Sequence, residues 1–272
     1  MNIGIVTRSF RNMTTLEAAE TMAMHGFKCT ELCFTQTDCN YWVYNGTSDI
    51  SELKNQHVCQ IADIYRNNGI EVVSIGIFTN LIEPDDDIRN KNLEYFVKHM
   101  EYASYCGINV VATECGFIEG NRGVQAHTYE SAFNRILDSV KHLAEEAEKY
   151  DVFIAIEPCV LDVIPSAKRM KDFIKQSQSN RVKVLLDPAN LIANSSEEDM
   201  FKYLKDDIAY FHGKDRKVND AYGRVLGDGD IDWVKFLSLY KQYTKDAPFI
   251  IEYANHTNCG EIKKRAIDYY QK

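Results

Sequence analysis

No uninterrupted apolar run in the sequence approaches the roughly 18 residues that a membrane-crossing helix needs, so no membrane partner is expected. The eight cysteines include no CxxC pair, which leaves no zinc knuckle. No GxGxxG follows the first apolar run. Thr7-Arg8-Ser9-Phe10 stands there instead, so a dinucleotide-binding open sheet lacks its fingerprint. Proline is scarce, at five residues, and no linker or low-complexity tract divides the chain. A basic stripe is also missing. Its nearest candidate, Lys214-Asp215-Arg216-Lys217, is short and broken by an acid. With 31 Lys and Arg against 40 Asp and Glu, the net charge is -9, and nucleic acid is not an expected partner. Met1 leads into Ile3-Gly4-Ile5-Val6 with no basic leader or cleavage site, so a cytoplasmic location is expected. There, Cys29, Cys33, Cys39, Cys59, Cys106, Cys115, Cys159 and Cys259 should mostly be buried thiols, Cys159 being the one nearest to chemistry, beside Glu157.

What is present is a repeat of alternating periods. Short β-branched runs occur at Ile3–Val6, Cys29–Phe34, Val72–Phe78, Asn109–Glu114, Val152–Glu157, Val182–Asp187, Ile208–His212 and Phe249–Tyr253. Several are apolar almost throughout, as strands buried on both faces are. Between them lie amphipathic stretches. In Tyr129–Tyr150, Phe133, Ile136, Leu137, Val140, Leu143, Ala144 and Ala147 recur every three or four residues and form one stripe. Gly26, Gly69 and Gly107 each follow such a stretch, where a left-handed helix cap favours glycine. Eight βα units without interruption predict an α/β fold, a single (β/α)8 TIM barrel over residues 1–272.

In such a barrel the active site lies where the strands end at their carboxyl termini, because the βα loops meet there. The fifth to eighth strands end in Ile156-Glu157-Pro158, Leu186-Asp187-Pro188, Phe211-His212-Gly213 and Ile251-Glu252-Tyr253. Each apolar run therefore finishes on a side chain able to bind a metal. The spacings are 30, 25 and 40 residues, each close to one βα unit, so the four ends can surround one point. An acid ending one strand is commonly a cap or a solvated loop residue, and a lone histidine after aromatics is commonly a core residue. Four in register point instead to a shared site for one divalent ion. Three carboxylates and an imidazole form a hard donor set that favours Mn²⁺ or Mg²⁺, with Co²⁺ and Zn²⁺ also compatible.

At these residues the sequence resembles the sugar phosphate isomerase/epimerase superfamily, the xylose isomerase-like barrels. That group includes ketose 3-epimerases, inosose-processing enzymes and apurinic endonucleases. The resemblance spans essentially the whole chain and is most specific at Glu157-Pro158, Asp187-Pro188-Ala189-Asn190, His212-Gly213-Lys214-Asp215, Gly227-Asp228-Gly229-Asp230-Ile231-Asp232 and Glu252-Tyr253. Glu31 falls where the superfamily often ends its second strand with an acid. The resemblance implies a metal held by Glu157, Asp187, His212 and Glu252, with both glutamates also moving protons. It implies a small sugar or polyol substrate, and a dimer or tetramer as in many relatives. Three features depart from the ketose 3-epimerases: Asn190 replaces a histidine, Val163 a glutamate and Val218 an arginine, with Arg216 and Lys217 nearby. The additional histidines of the endonucleases' zinc cluster are missing as well, which argues against DNA repair.

The chemistry implied is isomerisation or epimerisation of a sugar or sugar phosphate through an enediolate, with Glu157 and Glu252 as the acid/base pair. Two alternatives share the sequence: a lyase or dehydratase acting on an inosose or 3-oxo-glycoside at the same site, and a barrel that binds a ligand without catalysis. Lys214, Asn190, Glu114, Arg216 and Trp42 are the expected substrate contacts. Lys214 could equally pair with Asp215 at the surface. Phe10 and Tyr41 join Trp42 as aromatics that could stack on a sugar ring. The glycine-rich stretch Gly116–Ala126 is a candidate cover for the site, and His256 a candidate supporting residue beyond the eighth strand.

Overall fold

A computed structural model describes residues 1–123 and 125–272. Eight parallel strands form a closed barrel: β1 (Ile3–Ile5), β2 (Cys29–Leu32), β3 (Glu71–Gly76), β4 (Val110–Glu114), β5 (Phe153–Glu157), β6 (Val182–Leu186), β7 (Ile208–Gly213) and β8 (Phe249–Ile251). Each pairs with its neighbour in sequence, and β8 closes against β1 through Ile3–Phe249, Gly4–Ile250 and Ile5–Ile251. All eight expected strands are there, each within a few residues of its expected bounds.

Eight principal helices follow the strands: α1 (Thr15–Met24), α2 (Asn55–Asn67), α3 (Asp86–Tyr105), α4 (Tyr129–Tyr150), α5 (Ala167–Ser177), α6 (Glu197–Leu204), α7 (Trp233–Tyr243) and α8 (Cys259–Gln271). Their starts have local causes. Thr14 and Glu17 form a capping box on α1, and Asp85, Ser166, Ser196 and Asp232 cap α3, α5, α6 and α7 with side-chain oxygens. Gly26, Gly69 and Gly107 take the expected left-handed conformation, at φ +70°, +76° and +67°. In α4, the expected stripe is buried at Phe133, Ile136, Val140, Leu143, Ala144 and Ala147, while Leu137 is half-buried.

Some features were not anticipated. The loop after β2 folds back as a small antiparallel hairpin, Thr35–Gln36 with Cys39–Asn40. It leads the chain to Trp42 and Tyr44 above the barrel mouth. Cys59 of α2 and Cys106, next to the end of α3, are joined by a disulfide, while the other six cysteines are buried thiols. Most of the cysteines are thus buried thiols as expected; the bridged pair was not foreseen, because it arises where two adjacent outer helices bring residues 47 apart in sequence to a Cα separation of 5.1 Å. Phe10 is in the core rather than in the mouth, because a short 3-10 turn at Thr7–Phe10 points it inward. Among the described residues, no helix is long and apolar enough to cross a membrane.

His99 on α3 is a packed histidine. It is 1% exposed, Nδ1 lies 2.8 Å from the Tyr95 carbonyl, and Tyr95, Tyr102 and Phe34 surround its ring. Burial depresses its pKa from 6.5 to about 4. Above pH 6.5 the ring is neutral in both the folded and the unfolded chain and contributes no pH dependence. As pH falls, the unfolded chain is protonated first, so stability should decline by about 2–3 kcal/mol between about pH 6.5 and about pH 4. Urea titrations of the wild type and of His99→Gln should show this component only in the wild type; equal pH profiles would exclude His99 as its source.

Candidate metal centre

β5 to β8 are consecutive neighbours in the ring, so their carboxyl ends share one arc of the mouth. Glu157 is the last residue of β5, Asp187 follows β6, His212 lies next to the end of β7, and Glu252 follows β8. One donor atom from each lies within 4.8 Å of every other, and all four residues are buried. The four expected ligands therefore meet around one point. Past His212 the period-two alternation continues, so His212, Lys214 and Arg216 all project towards the mouth. Gly213 and Asp215 face the other way. Asp215 accepts hydrogen bonds from the backbones of Arg216, Gly227 and Ile231 and from Trp233 Nε1, binding the following loop to the barrel. It is no surface partner of Lys214.

His212 is oriented from behind. Nε2 lies 3.0 Å from Glu31 Oε2, and the same carboxylate accepts from the Tyr210 hydroxyl and, at 3.2 Å, from Cys33 Sγ. A Cβ on Gly76 would stand 2.5 Å from Glu31 Oε1, so a larger residue on the adjoining strand would displace this carboxylate from His212. With Nε2 held by a carboxylate, Nδ1 faces the cluster, 3.5 Å from Glu157 Oε1 and 3.4 Å from Glu252 Oε2, with no hydrogen-bond partner. Asp187 directs Oδ1 to the Ala189 amide at 2.9 Å and leaves Oδ2 in the cluster without a hydrogen bond. A buried imidazole nitrogen without a partner, aimed at a locus shared with three buried carboxylates, fits a divalent cation.

Lys214 supplies positive charge at that locus. Its Nζ is 2.9 Å from Glu252 Oε2 and 3.5 Å from Glu157 Oε1. It also forms an ion pair with Asp187 Oδ2 at 2.6 Å. Arg8 pairs with Glu252. The titration behaviour follows from these contacts. Burial works against ionisation of Glu157 and Glu252, but Lys214 and His212, joined by Arg8 at Glu252, hold both below the usual carboxylate range. For Asp187 burial and the two glutamates prevail over Lys214, and its pKa is pushed up to about 7. Burial alone would lower the pKa of His212, yet Glu252, Glu31 and Glu157 raise it.

The expected substrate contacts also converge on the mouth. A cavity of about 350 Å³ is lined by Trp42, Glu114, Asn190, Lys214, Arg216 and Glu252, along with Arg8, Arg11, Tyr44, Arg122 and Tyr253. Asn190 donates to Glu157 Oε1 at 2.8 Å and accepts from Arg216 at 3.0 Å. Glu114 pairs with Glu157 across β4 and β5 and accepts from the Tyr44 hydroxyl at 2.7 Å; burial and Glu157 raise its pKa. The guanidinium groups of Arg8 and Arg11 lie 5.2 and 4.9 Å from the centre of the Trp42 ring. Tyr253 adopts φ +58°, a strained conformation directly after Glu252. Tyr41 packs against the core, and His256 is exposed and does not line the cavity. Of the stretch Gly116–Ala126, Val124 lies outside the described residues, while Arg122 reaches the mouth. Arg8, Arg11, Tyr44 and Arg122 escaped sequence reasoning because each sits in a loop with no periodic signal.

This fold and this cluster define a class, the metal-competent (β/α)8 barrels. More particularly, the chain belongs to the xylose isomerase-like TIM barrel family, whose model matches residues 19–272. It is 21% identical to the uncharacterized protein MJ1311 of Methanocaldococcus jannaschii, over all of this chain and 90% of that one. Solved structures share the fold. D-psicose 3-epimerase from Clostridium cellulolyticum H10, solved with D-tagatose, superposes at a TM-score of 0.76 with 18% identity, covering 100% of this chain and 98% of that one. The 3-keto-D-glucoside 4-epimerase YcjR from E. coli gives 0.79 with 12% identity, over 98% and 99%. The IolI protein with a bound zinc atom gives 0.78 with 17% identity, over 100% and 98%.

Two outcomes follow for metal binding. Protons on His212 and Asp187 compete with a cation, so Mn²⁺ affinity should fall as pH drops from about 8 to about 6. Lys214 competes as a tethered cation, so Lys214→Met should tighten Mn²⁺ binding by about tenfold. Titration calorimetry checks both. A pH-independent affinity, or weaker binding in Lys214→Met, would contradict this electrostatic description.

Proposed function

We propose that the protein is a metal-dependent isomerase or epimerase of a sugar-type substrate, with Glu157 and Glu252 as its acid/base pair. The observation that carries this reading is the buried meeting of Glu157, Asp187, His212 and Glu252 at the carboxyl end of the barrel. Glu157, Asp187, His212 Nδ1 and Glu252 would hold the ion, and Mn²⁺ suits their mainly oxygen donors best. When bound, the cation would supply a Lewis acid for a substrate carbonyl and its neighbouring hydroxyl.

The rest is the work of the chain's own side chains. Glu157 closes β5 and Glu252 follows β8, with β6 and β7 between them, so the two could approach a substrate from different directions. Both are kept ionised and can accept a proton from a carbon next to the carbonyl. Asn190 holds Glu157 through Oε1, and Arg8 holds Glu252, so neither carboxylate is free to rotate away. Trp42 and Tyr253 give the cavity flat apolar walls against which a sugar can lie. The D-psicose 3-epimerase and 3-keto-D-glucoside 4-epimerase neighbours support a carbohydrate substrate.

Glu157→Gln should reduce turnover by about 100-fold or more while leaving the circular dichroism spectrum unchanged. A strong chelator should abolish activity, and Mn²⁺ should restore it. The direct assay is deuterium wash-in from heavy water at the carbon beside the carbonyl, across a panel of ketoses and inososes. Undiminished exchange in the Gln variant would reject the role of Glu157, and loss of water or an aglycone would indicate a lyase.

A further inference from the structure

Among the described residues, two cations of the mouth have no carboxylate within ion-pairing distance. Five cationic side chains line the cavity, Arg8, Arg11, Arg122, Lys214 and Arg216, with the acids Glu114 and Glu252 on its wall and Glu157, Asp187 and Asp162 just beneath. Three of the five have acidic partners. Arg8 pairs with Glu252, and Lys214 lies among Asp187, Glu252 and Glu157. Arg122 stands 3.6 Å from Glu114 and 3.8 Å from Asp162. Arg11 and Arg216 have no ion pair among the described residues.

Arg216 is the unusual member. It is only 4% exposed, and a guanidinium cannot shed its charge, so burial without a counter-ion is costly. Its hydrogen bonds go to neutral acceptors, the Asn190 amide oxygen at 3.0 Å and the Ala221 carbonyl at 3.1 Å, and Nε has no partner. Through Asn190 it is linked to Glu157, and so lies one side chain away from the proposed reaction centre. Arg11 is exposed at the rim, its guanidinium 4.9 Å from the Trp42 ring centre. A buried fork of donors behind an exposed cation is how a site receives an anion from water.

We propose that the substrate carries an anionic group, a phosphate monoester or a carboxylate, which Arg216 binds within the mouth and Arg11 attracts at its rim. This rests on the reading of the site as one for a sugar-type substrate and goes further by giving that substrate a charge. The two sources share one chemistry, a compact group of oxygen acceptors matched by the guanidinium fork.

Binding, rather than turnover, is the test. Titration calorimetry on the full chain with Mn²⁺, in a buffer free of phosphate and carboxylate, would compare ribulose 5-phosphate with ribulose and galacturonate with galactose. The charged form should bind at least about tenfold more tightly in one pair or in both. Preference in the first pair alone assigns a phosphate, in the second a carboxylate, and in both a general anion site. R216M should remove the preference and R11M should weaken it, with a shallower dependence on salt. Because Arg216 is buried, R216K, which keeps the charge but loses the fork, serves as the second variant and should retain only part of the preference. Equal binding within both pairs, no binding of any of the four, or an undiminished preference in the Arg216 variants would overturn the proposal. If the preference holds and depends on Arg216 but no sugar exchanges deuterium, the isomerase reading fails and the anion site stands.

Discussion

Three carboxylates buried in one small volume repel one another, and the structure of the mouth follows from that constraint. At separations of about 4 Å, the repulsion between unit charges is several kcal/mol wherever water is excluded. Glu157, Asp187 and Glu252 can share the end of the barrel only if positive charge joins them. Lys214, Arg8 and His212 provide it within the chain. The unpartnered His212 Nδ1, facing Asp187 and the two glutamates, marks where a divalent ion would add to it. Even the outer contacts serve this balance: Glu31 fixes the imidazole, and Asn190 holds Glu157 in place.

The barrel makes such a concentration of charge affordable by separating tasks along each strand. Apolar residues such as Ile154, Ile156, Val184, Leu186 and Phe211 are fully buried and carry the packing. The polar residue that ends each strand is thereby held on a rigid element rather than a loop, which suits a site that depends on placement to within a fraction of an ångström. Loops then complete the mouth: Trp42 and Tyr44 after β2, Arg122 after β4, and Arg216 after β7. In β7 and its extension, period-two alternation places His212, Lys214 and Arg216 on the side of the mouth and leaves Asp215 to secure the loop behind.

The strands and the four converging residues were legible in the sequence because both depend on local rules. An apolar run that stops at Glu157 or Asp187 states its own geometry once the strands are known to be parallel. Lys214 was legible as a residue of the mouth but not in its position, since nothing local distinguishes a lysine beside Asp215 from one that turns inward to Asp187. The hydrogen bond from His212 to Glu31 joins residues 181 apart, and no spacing encodes it. The Cys59–Cys106 bridge was missed for the same reason. Arg8 and Arg11 lie around a short 3-10 turn whose sequence, Thr7-Arg8-Ser9-Phe10, gives no periodic cue, and their role emerges only from what faces them across the ring.

The most direct measurement is an anomalous difference map from crystals of the protein grown with Mn²⁺. One peak is expected, bounded by Glu157, Asp187, Glu252 and the Nδ1 atom of His212. A map without density at that point, or with its manganese held by other residues, would contradict the central claim that these four strand ends form a single cation site.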